Sequence, residues 1–178
     1  MMLKGAAAVL LAFVSQPPDF SGTWRLNAKG SSVDSGAALT GLIGAGAPET
    51  LHISQPANGS IVVQSQINES HVRIYTPGQK SSTPVFVGGI GSVTVTTRWE
   101  GSTLLSEGRR EFSSDASATP TDVKEVIALS ADGRTLEIEV TVTGTDGRRT
   151  SRMAYTRIGD VGPCESWPTP CKTPSPPK

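Results

Sequence analysis

The sequence predicts an all-β domain: an antiparallel up-and-down meander of about eight to ten strands. The first observation is a period of two between residues 92 and 158, clearest where Leu136, Ile138, Val140 and Val142 alternate with polar residues. Such alternation places one strand face in a core and the other in water. The second observation is the pair of hairpin signals at 132–133 and 146–147, both Asp-Gly. Together they predict short turns between successive strands.

Composition limits the domain organisation and the partners. With 178 residues, the chain suits one domain with a full core. Lysine plus arginine equal aspartate plus glutamate at 16 each, so no net field draws the protein to nucleic acid or to an anionic membrane. From the segments described below, we divide the chain into a signal peptide (1–16), a barrel domain (17–160) and a proline-rich tail (161–178).

The N-terminus has the pattern of an export signal. Lys4 precedes an apolar run over residues 5–14, which is too short to span a bilayer. We expect a secreted or periplasmic protein without a membrane span. The competing interpretation is an uncleaved apolar N-terminus or a misplaced start.

The first strand carries a family signature. Phe20, Gly22, Trp24 and Leu26 share one face of it. The segment Gly22-Thr23-Trp24 resembles the Gly-x-Trp motif of the lipocalin and fatty-acid-binding-protein (calycin) superfamily, so the resemblance implies a closed or nearly closed lipocalin-like barrel. It also implies that Arg157, from the last strand, packs over Trp24 and closes one end. The mid-chain Thr-Asp-Tyr motif and the disulfides typical of secreted lipocalins are missing.

A second resemblance spans most of residues 19–158. The sequence is similar to small exported bacterial proteins of unknown function that open with Asp-Phe-Ser-Gly-Thr-Trp, here residues 19–24. Their Arg-Trp-x-Gly turn matches residues 98–101, and their Leu-Ser-x-Asp-Gly-x-Thr-Leu segment matches residues 129–136. This resemblance brings no assigned activity.

Other segments carry weaker expectations. Residues 28–48 are rich in glycine, alanine and serine and allow one or two helical turns, as a lid over a barrel mouth or as a flexible excursion. In the strand near residues 71–75, Val72 and Ile74 are expected to face inward. Glu125 falls on an otherwise apolar strand face together with Val123 and Ile127.

The tail contains both cysteines of the chain. Cys164 and Cys171 are predicted to close a small disulfide loop in an oxidising compartment. Trp167 lies inside that loop, where it docks on the barrel, contacts a partner, or is simply exposed.

No motif supports catalysis or a metal site. His52 and His71 are the only histidines, and we expect both on the strand surface. The chain lacks a Gly-x-Ser-x-Gly elbow. Five glutamates are conceivable carboxylate pairs, but two lie on the wet face, and Arg109 and Arg110 offer partners for the others; the five are Glu107, Glu111, Glu125, Glu137 and Glu139. We expect no metal, no cofactor and no enzyme activity.

The remaining functional feature is the barrel interior, which in a barrel of this size holds side chains or one small ligand. The leading hypothesis is an exported barrel that binds a small, largely apolar molecule without transforming it. The alternative is an envelope or extracellular protein-interaction domain with a solid core and a structural or adhesion role, and a remote third is an enzyme at the barrel mouth. The expected ligand-binding walls, which also suit a solid core, are Leu51, Ile53, Val63, Val95, Ile138, Val140 and Tyr155.

Overall fold

The computed structural model describes residues 17–41, 46–65, 71–85, 90–112 and 119–160. Within them lie ten antiparallel strands, one short α-helix and a single 3-10 turn over Ala28–Gly30, which confirms the predicted all-β meander. Their bounds are β1 (Gly22–Leu26), α1 (Ser35–Thr40), β2 (Thr50–Ser54), β3 (Ile61–Ser65), β4 (His71–Tyr75), β5 (Lys80–Val85), β6 (Gly91–Glu100), β7 (Thr103–Phe112), β8 (Thr121–Leu129), β9 (Thr135–Gly144) and β10 (Gly147–Gly159).

The sheet curls into a nearly closed barrel. Its strand order is β4-β3-β2-β1-β10-β9-β8-β7-β6-β5, so all consecutive strands are neighbours except β4 and β5. β10 returns to pair with β1, while β4 and β5 form the two edges of the sheet. A tight turn over residues 76–79 joins β4 to β5, with Gly78 at φ 83° and the Gln79 N–H donating to the Thr76 carbonyl at 3.0 Å. The end of β4 therefore lies next to the start of β5, but the two strands are not paired by backbone hydrogen bonds. The barrel is open along this seam.

The end of the barrel that holds Trp24, which we call the closed end, is fastened by β1 and β10. Trp24 is buried, and its indole N–H donates to the Phe20 carbonyl at 2.9 Å. Arg157 pairs with Trp24 in register, and its Cζ lies 5.6 Å from the centroid of the Trp24 ring. The Arg157 guanidinium also donates to the Ser21 carbonyl at 2.7 Å. This stacking is the arrangement that the calycin resemblance implied.

Hairpin turns occur at both Asp-Gly signals, 132–133 and 146–147, and also at Asn58-Gly59 between β2 and β3. Gly59, Gly133 and Gly147 have φ of 80°, 70° and 102°, a region that L-residues with a side chain rarely adopt. The Gly133 N–H donates to the Ser130 carbonyl at 2.8 Å and closes the β8–β9 turn. Each turn fixes the register of its two strands and therefore decides which residues point inward.

One strand is turned the other way from the sequence prediction. In β4 the predicted inward residue Ile74 is 54 % exposed and Val72 is only partly buried. The reason is the register: Val63 pairs with Arg73 and Ile61 with Tyr75, and residues directly opposite share a face. The prediction that Val72 and Ile74 face inward is wrong, and Arg73 and Tyr75 take those positions.

The segment between β1 and β2 packs against the barrel. Asp34 caps α1 by accepting from the Ala37 N–H at 2.8 Å, and the helix contacts β9 and β10. Ala37 and Ala38 are buried in the core. The helix lies at the opposite end of β10 from Arg157, so it covers the other mouth, which we call the helix end. Residues 42–45 lie outside the described residues.

The predicted signal peptide and the proline-rich tail, with the predicted Cys164–Cys171 disulfide, also lie outside the described residues. In the parts of the chain that are described, no helix is long and apolar enough to cross a membrane.

Candidate ligand-binding interior

The apolar wall expected from the sequence exists as one cluster. All seven residues predicted to line the interior are buried and belong to a single core; they are Leu51, Ile53, Val63, Val95, Ile138, Val140 and Tyr155. They come from β2, β3, β6, β9 and β10, so they surround the barrel axis. Their contact with a ligand remains a prediction.

A buried acid lies in this interior. Glu125 on β8 is 1 % exposed and accepts a hydrogen bond from the Tyr75 hydroxyl on β4. Burial raises the pKa of Tyr75 well above its usual value, and the nearby Glu125 adds to the rise. Burial lowers the pKa of the nearby Arg73, and the charges of Tyr75 and Glu125 partly oppose this lowering. The tyrosine therefore remains a hydrogen-bond donor over the physiological range.

A buried cation lies near the helix end. Arg110 on β7 is 9 % exposed, and its Cζ lies 4.4 Å from the Phe112 ring centroid. Its Nη1 donates to Thr40 Oγ1 at 3.3 Å, whereas its Nε and Nη2 are buried and have no hydrogen-bond partner among the described residues. Burial lowers the pKa of Arg110. A guanidinium nevertheless stays charged, so this site presents a positive charge with two N–H-bearing atoms unused.

Further polar groups without partners face the same interior. Ser151 pairs with Val140 and Tyr155 with Leu136, which puts both side chains on the inner face of β10. Ser65, on the inner face of β3, is also buried. The three hydroxyls find no hydrogen-bond partner in the described part of the chain. Buried polar groups are normally hydrogen-bonded to protein or to ordered water. A group of buried hydroxyls without protein partners is therefore typical of a site that holds ordered water or the polar atoms of a ligand.

α1 fits closely over these groups because it carries glycines at two contact points. A Cβ on Gly36 would lie 2.7 Å from Arg149 Nη1, and one on Gly41 would lie 2.8 Å from Val140 Cγ2 and 2.9 Å from Glu125 Oε2. Outside the barrel, Arg149 forms an ion pair with the capping carboxylate of Asp34, with N–O distances of 3.0 and 3.1 Å. Arg149 thus holds the helix from outside the barrel. Arg110, inside the barrel, lies beneath Thr40, the last residue of the helix.

The histidine and glutamate predictions need correction. His52 was expected on the surface, but it is 7 % exposed, its Nδ1 lies 3.1 Å from Thr23 Oγ1, and burial lowers its pKa. The surface prediction for His52 is therefore wrong. Arg110 was expected to pair with a glutamate, and instead it is buried beside Phe112.

Two of the five glutamates, Glu107 and Glu139, form ion pairs on the outer face of the barrel. Glu139 bonds to Arg152 at 2.6 Å, and Glu107 lies 2.8 Å from Arg98 and 3.4 Å from Lys124. Among the residues with described positions, no group of three or more potential metal-ligating side chains occurs.

The sequence did contain a signal for Arg110 that the prediction missed. Leu104, Ser106, Gly108 and Arg110 follow one another at every second position of β7, and their partners across β8 and β6 are inward residues. Extending the alternation from Leu104 would have placed Arg110 inside. Tyr75 had no comparable signal, because its partner Glu125 is 50 positions away.

Comparisons with known proteins identify the fold. No protein-family model matches the chain, and neither does any curated protein. Among solved structures, the barrel is similar to the REP1-NXSQ fatty acid transporter (TM-score 0.51, 14 % identity, 78 % of this chain and 95 % of that one). It is also similar to Caenorhabditis elegans lipid binding protein 8 (TM-score 0.52, 14 % identity, 83 % of this chain and all of that one). The likeness shows the fold, a lipocalin-like up-and-down barrel, as the first-strand resemblance implied.

Proposed function

We propose that this barrel binds, in its interior, one molecule of an amphiphilic lipid with an anionic head group, such as a fatty acid, and carries it without transforming it. The structures with the same fold are named as a fatty acid transporter and a lipid binding protein, which supports a lipid as the ligand class. Similarity of the fold does not specify the head group. That part of the proposal rests on the interior of this chain.

The observation that carries the proposal is the environment of Arg110. A buried charge is costly unless it is paired and hydrogen-bonded. Among the described residues, the guanidinium has one hydrogen bond, to a neutral hydroxyl, and a stack on Phe112. A carboxylate at its Nε and Nη2 would supply the missing charge and two charge-assisted hydrogen bonds in the forked geometry that arginine favours.

The remainder of the interior suits the rest of such a molecule. The aliphatic side chains of the wall, each at most 1 % exposed in the ligand-free barrel, have to part to admit a lipid chain, and each methylene that the chain buries among them gains about 0.8 kcal/mol. Hydroxyls of Ser151 and Tyr155 are available to polar atoms along the chain or to ordered water. Burial raises the pKa of Tyr155, so its hydroxyl remains protonated and can donate.

We further propose that the protein acts outside the cytoplasm, secreted or periplasmic. Support comes from the sequence of residues 1–16, where a lysine precedes a short apolar run. A carrier in that compartment would meet lipids in transit between membranes or from the surroundings. Nucleic acid is not a proposed partner, since the formal net charge is zero.

The test begins with native mass spectrometry of protein purified from an exporting host. A discrete extra mass that is lost on denaturation identifies the bound molecule. The delipidated protein is then titrated with a fatty acid and with the fatty alcohol of equal chain length. Tighter binding of the acid by at least tenfold supports the proposal. Equal affinities refute the anionic head group, and no binding of either refutes the carrier.

A further inference from the structure

A second concave surface lies at the closed end, outside the barrel interior. It is an open, shallow cleft of about 530 Å³, lined by Pro17, Asp19, Gln55, Pro56, Ala57, Gly59 and Trp99. Its aromatic wall is Trp99, which is partly buried and stacks on Phe20 with ring centroids 5.4 Å apart. Prolines from two separate segments flank the indole. Trp99, the two prolines and Ala57 give the cleft an apolar side, and Asp19 and Gln55 add polar groups at its edge.

The chain leaves β10 beside this cleft. The carbonyl of Asp160 accepts a hydrogen bond from the Thr23 hydroxyl, so residue 160 lies against β1. Ser21 lies two residues before Thr23, and its Oγ accepts a hydrogen bond from the Gln55 N–H at 3.1 Å. Gln55 in turn forms part of the cleft wall. Strand residues advance about 3.3 Å each, so Asp160 is on the order of 10 Å from the cleft.

The segment that starts there has matching chemistry. Residues 161–178 include six prolines and one tryptophan, Trp167. Proline-rich segments adopt the extended polyproline II form, which docks on aromatic-lined grooves because little conformational entropy is lost on binding. At about 3.1 Å per residue, the four residues from Asp160 to Cys164 span about 12 Å, so Trp167 comes within reach of the cleft even inside the predicted Cys164–Cys171 loop.

We propose that residues 161–178 fold back into this cleft, with Trp167 and the adjacent Pro168 and Pro170 against Trp99 and Pro56. The contact is intramolecular, and a short tether gives an effective concentration in the millimolar range. A groove with a single aromatic wall and an intrinsic Kd of about 1 mM is then sufficient to keep the tail docked for much of the time. Lys172 brings a positive charge to the cleft edge that carries Asp19.

The test uses the indole N–H resonances of the tryptophans in the full chain and in a chain that ends at Asp160. Trp99 should shift by several linewidths on truncation, together with the amides of Gln55 and Gly59. Trp24 is the internal reference, since its indole is buried and bonded to the Phe20 carbonyl. A synthetic peptide of residues 161–178, added in trans at millimolar concentration, should restore the original Trp99 position.

A point substitution tests the same contact without truncation. Trp167→Ala in the full chain should shift the Trp99 indole as the truncation does, while Lys178→Ala, at the far end of the tail, should leave it in place. Identical Trp99 spectra for the full chain, the truncated chain and Trp167→Ala would overturn the proposal. A Trp99 shift that depends on protein concentration would instead assign the cleft to the tail of a second copy, and a shift on removal of residues 1–16 alone would assign it to that segment.

Discussion

Replacing Arg110 by methionine separates a ligand-binding role from a structural one, because the two roles predict opposite signs. Methionine keeps an aliphatic stem of similar length in the barrel and removes the guanidinium. In the ligand-free protein, the change loses the Phe112 stack, worth about 0.5–2 kcal/mol, and one hydrogen bond to Thr40, worth about 1 kcal/mol. It also removes a buried cation whose desolvation costs several kcal/mol.

The net expectation for Arg110→Met is a free energy of unfolding that is unchanged or higher by up to about 3 kcal/mol. Ligand affinity should change in the other direction. The two buried nitrogens, Nε and Nη2, are the expected donors to the lipid carboxylate. A loss of about 3 kcal/mol for these charge-assisted bonds corresponds to a fatty-acid Kd raised about 150-fold. Affinity for the fatty alcohol should change by less than about threefold.

The assay pairs urea unfolding of the delipidated variant with calorimetric titration of the acid and the alcohol. Arg110→Lys is the matched control: it retains the charge but not the forked donors, so its fatty-acid affinity should fall between the two. A variant Arg110→Met that is destabilised by more than about 2 kcal/mol and binds the fatty acid as tightly as the parent would refute the reasoning, because the arginine would then serve the fold.

Two other predictions concern hydroxyl and carboxyl groups near the interior. Tyr75→Phe removes the hydroxyl that donates to the buried Glu125, so it should lower the free energy of unfolding by about 1–3 kcal/mol. Tyr155→Phe removes a hydroxyl that has no partner among the described residues, so it should change the free energy of unfolding by less than about 0.5 kcal/mol. Equal losses for the two variants in urea unfolding would contradict this. The pKa of Asp34 is lowered chiefly by the Ala37 N–H, so its support of α1 is complete above the ordinary aspartate pKa and is lost as the pH falls through the lower, folded-state pKa. The protection factor of the Ala37 amide, which corrects for the slower intrinsic exchange at acid pH, should therefore fall as Asp34 is protonated, and this acid-dependent step should be absent in Asp34→Asn, in which the group no longer titrates.

Local patterns predicted the wall of the barrel because they act between neighbours. The two-residue period of β9 indicated a buried face, and Leu136, Ile138 and Val140 are buried as expected. The Asp-Gly turns need a left-handed glycine, and Gly133 supplies one. Strand identity and facing were therefore available from the sequence wherever aliphatic and polar residues alternate cleanly.

The polar interior was not available in the same way, since it depends on contacts between distant strands. In β4 the aliphatics Val72 and Ile74 alternate with Arg73 and Tyr75, so hydrophobicity alone favours the wrong face. What decides the facing is the register with β3 and the acceptor that Glu125 offers on β8. A pattern within one strand carries neither piece of information.

The pairing of β1 with β10 places the ends of the domain in the middle of the sheet and its edges, β4 and β5, in the middle of the sequence. The hydrogen bond between Arg157 and Ser21 joins residues 136 positions apart. Bringing such distant segments together costs conformational entropy, and this cost slows the closing of the barrel. A circular permutant that joins residue 160 to residue 17 and opens the turn at 76–79 would turn every strand pair into a hairpin. Such a chain has a lower contact order on an unchanged barrel, and it should fold faster than the natural arrangement.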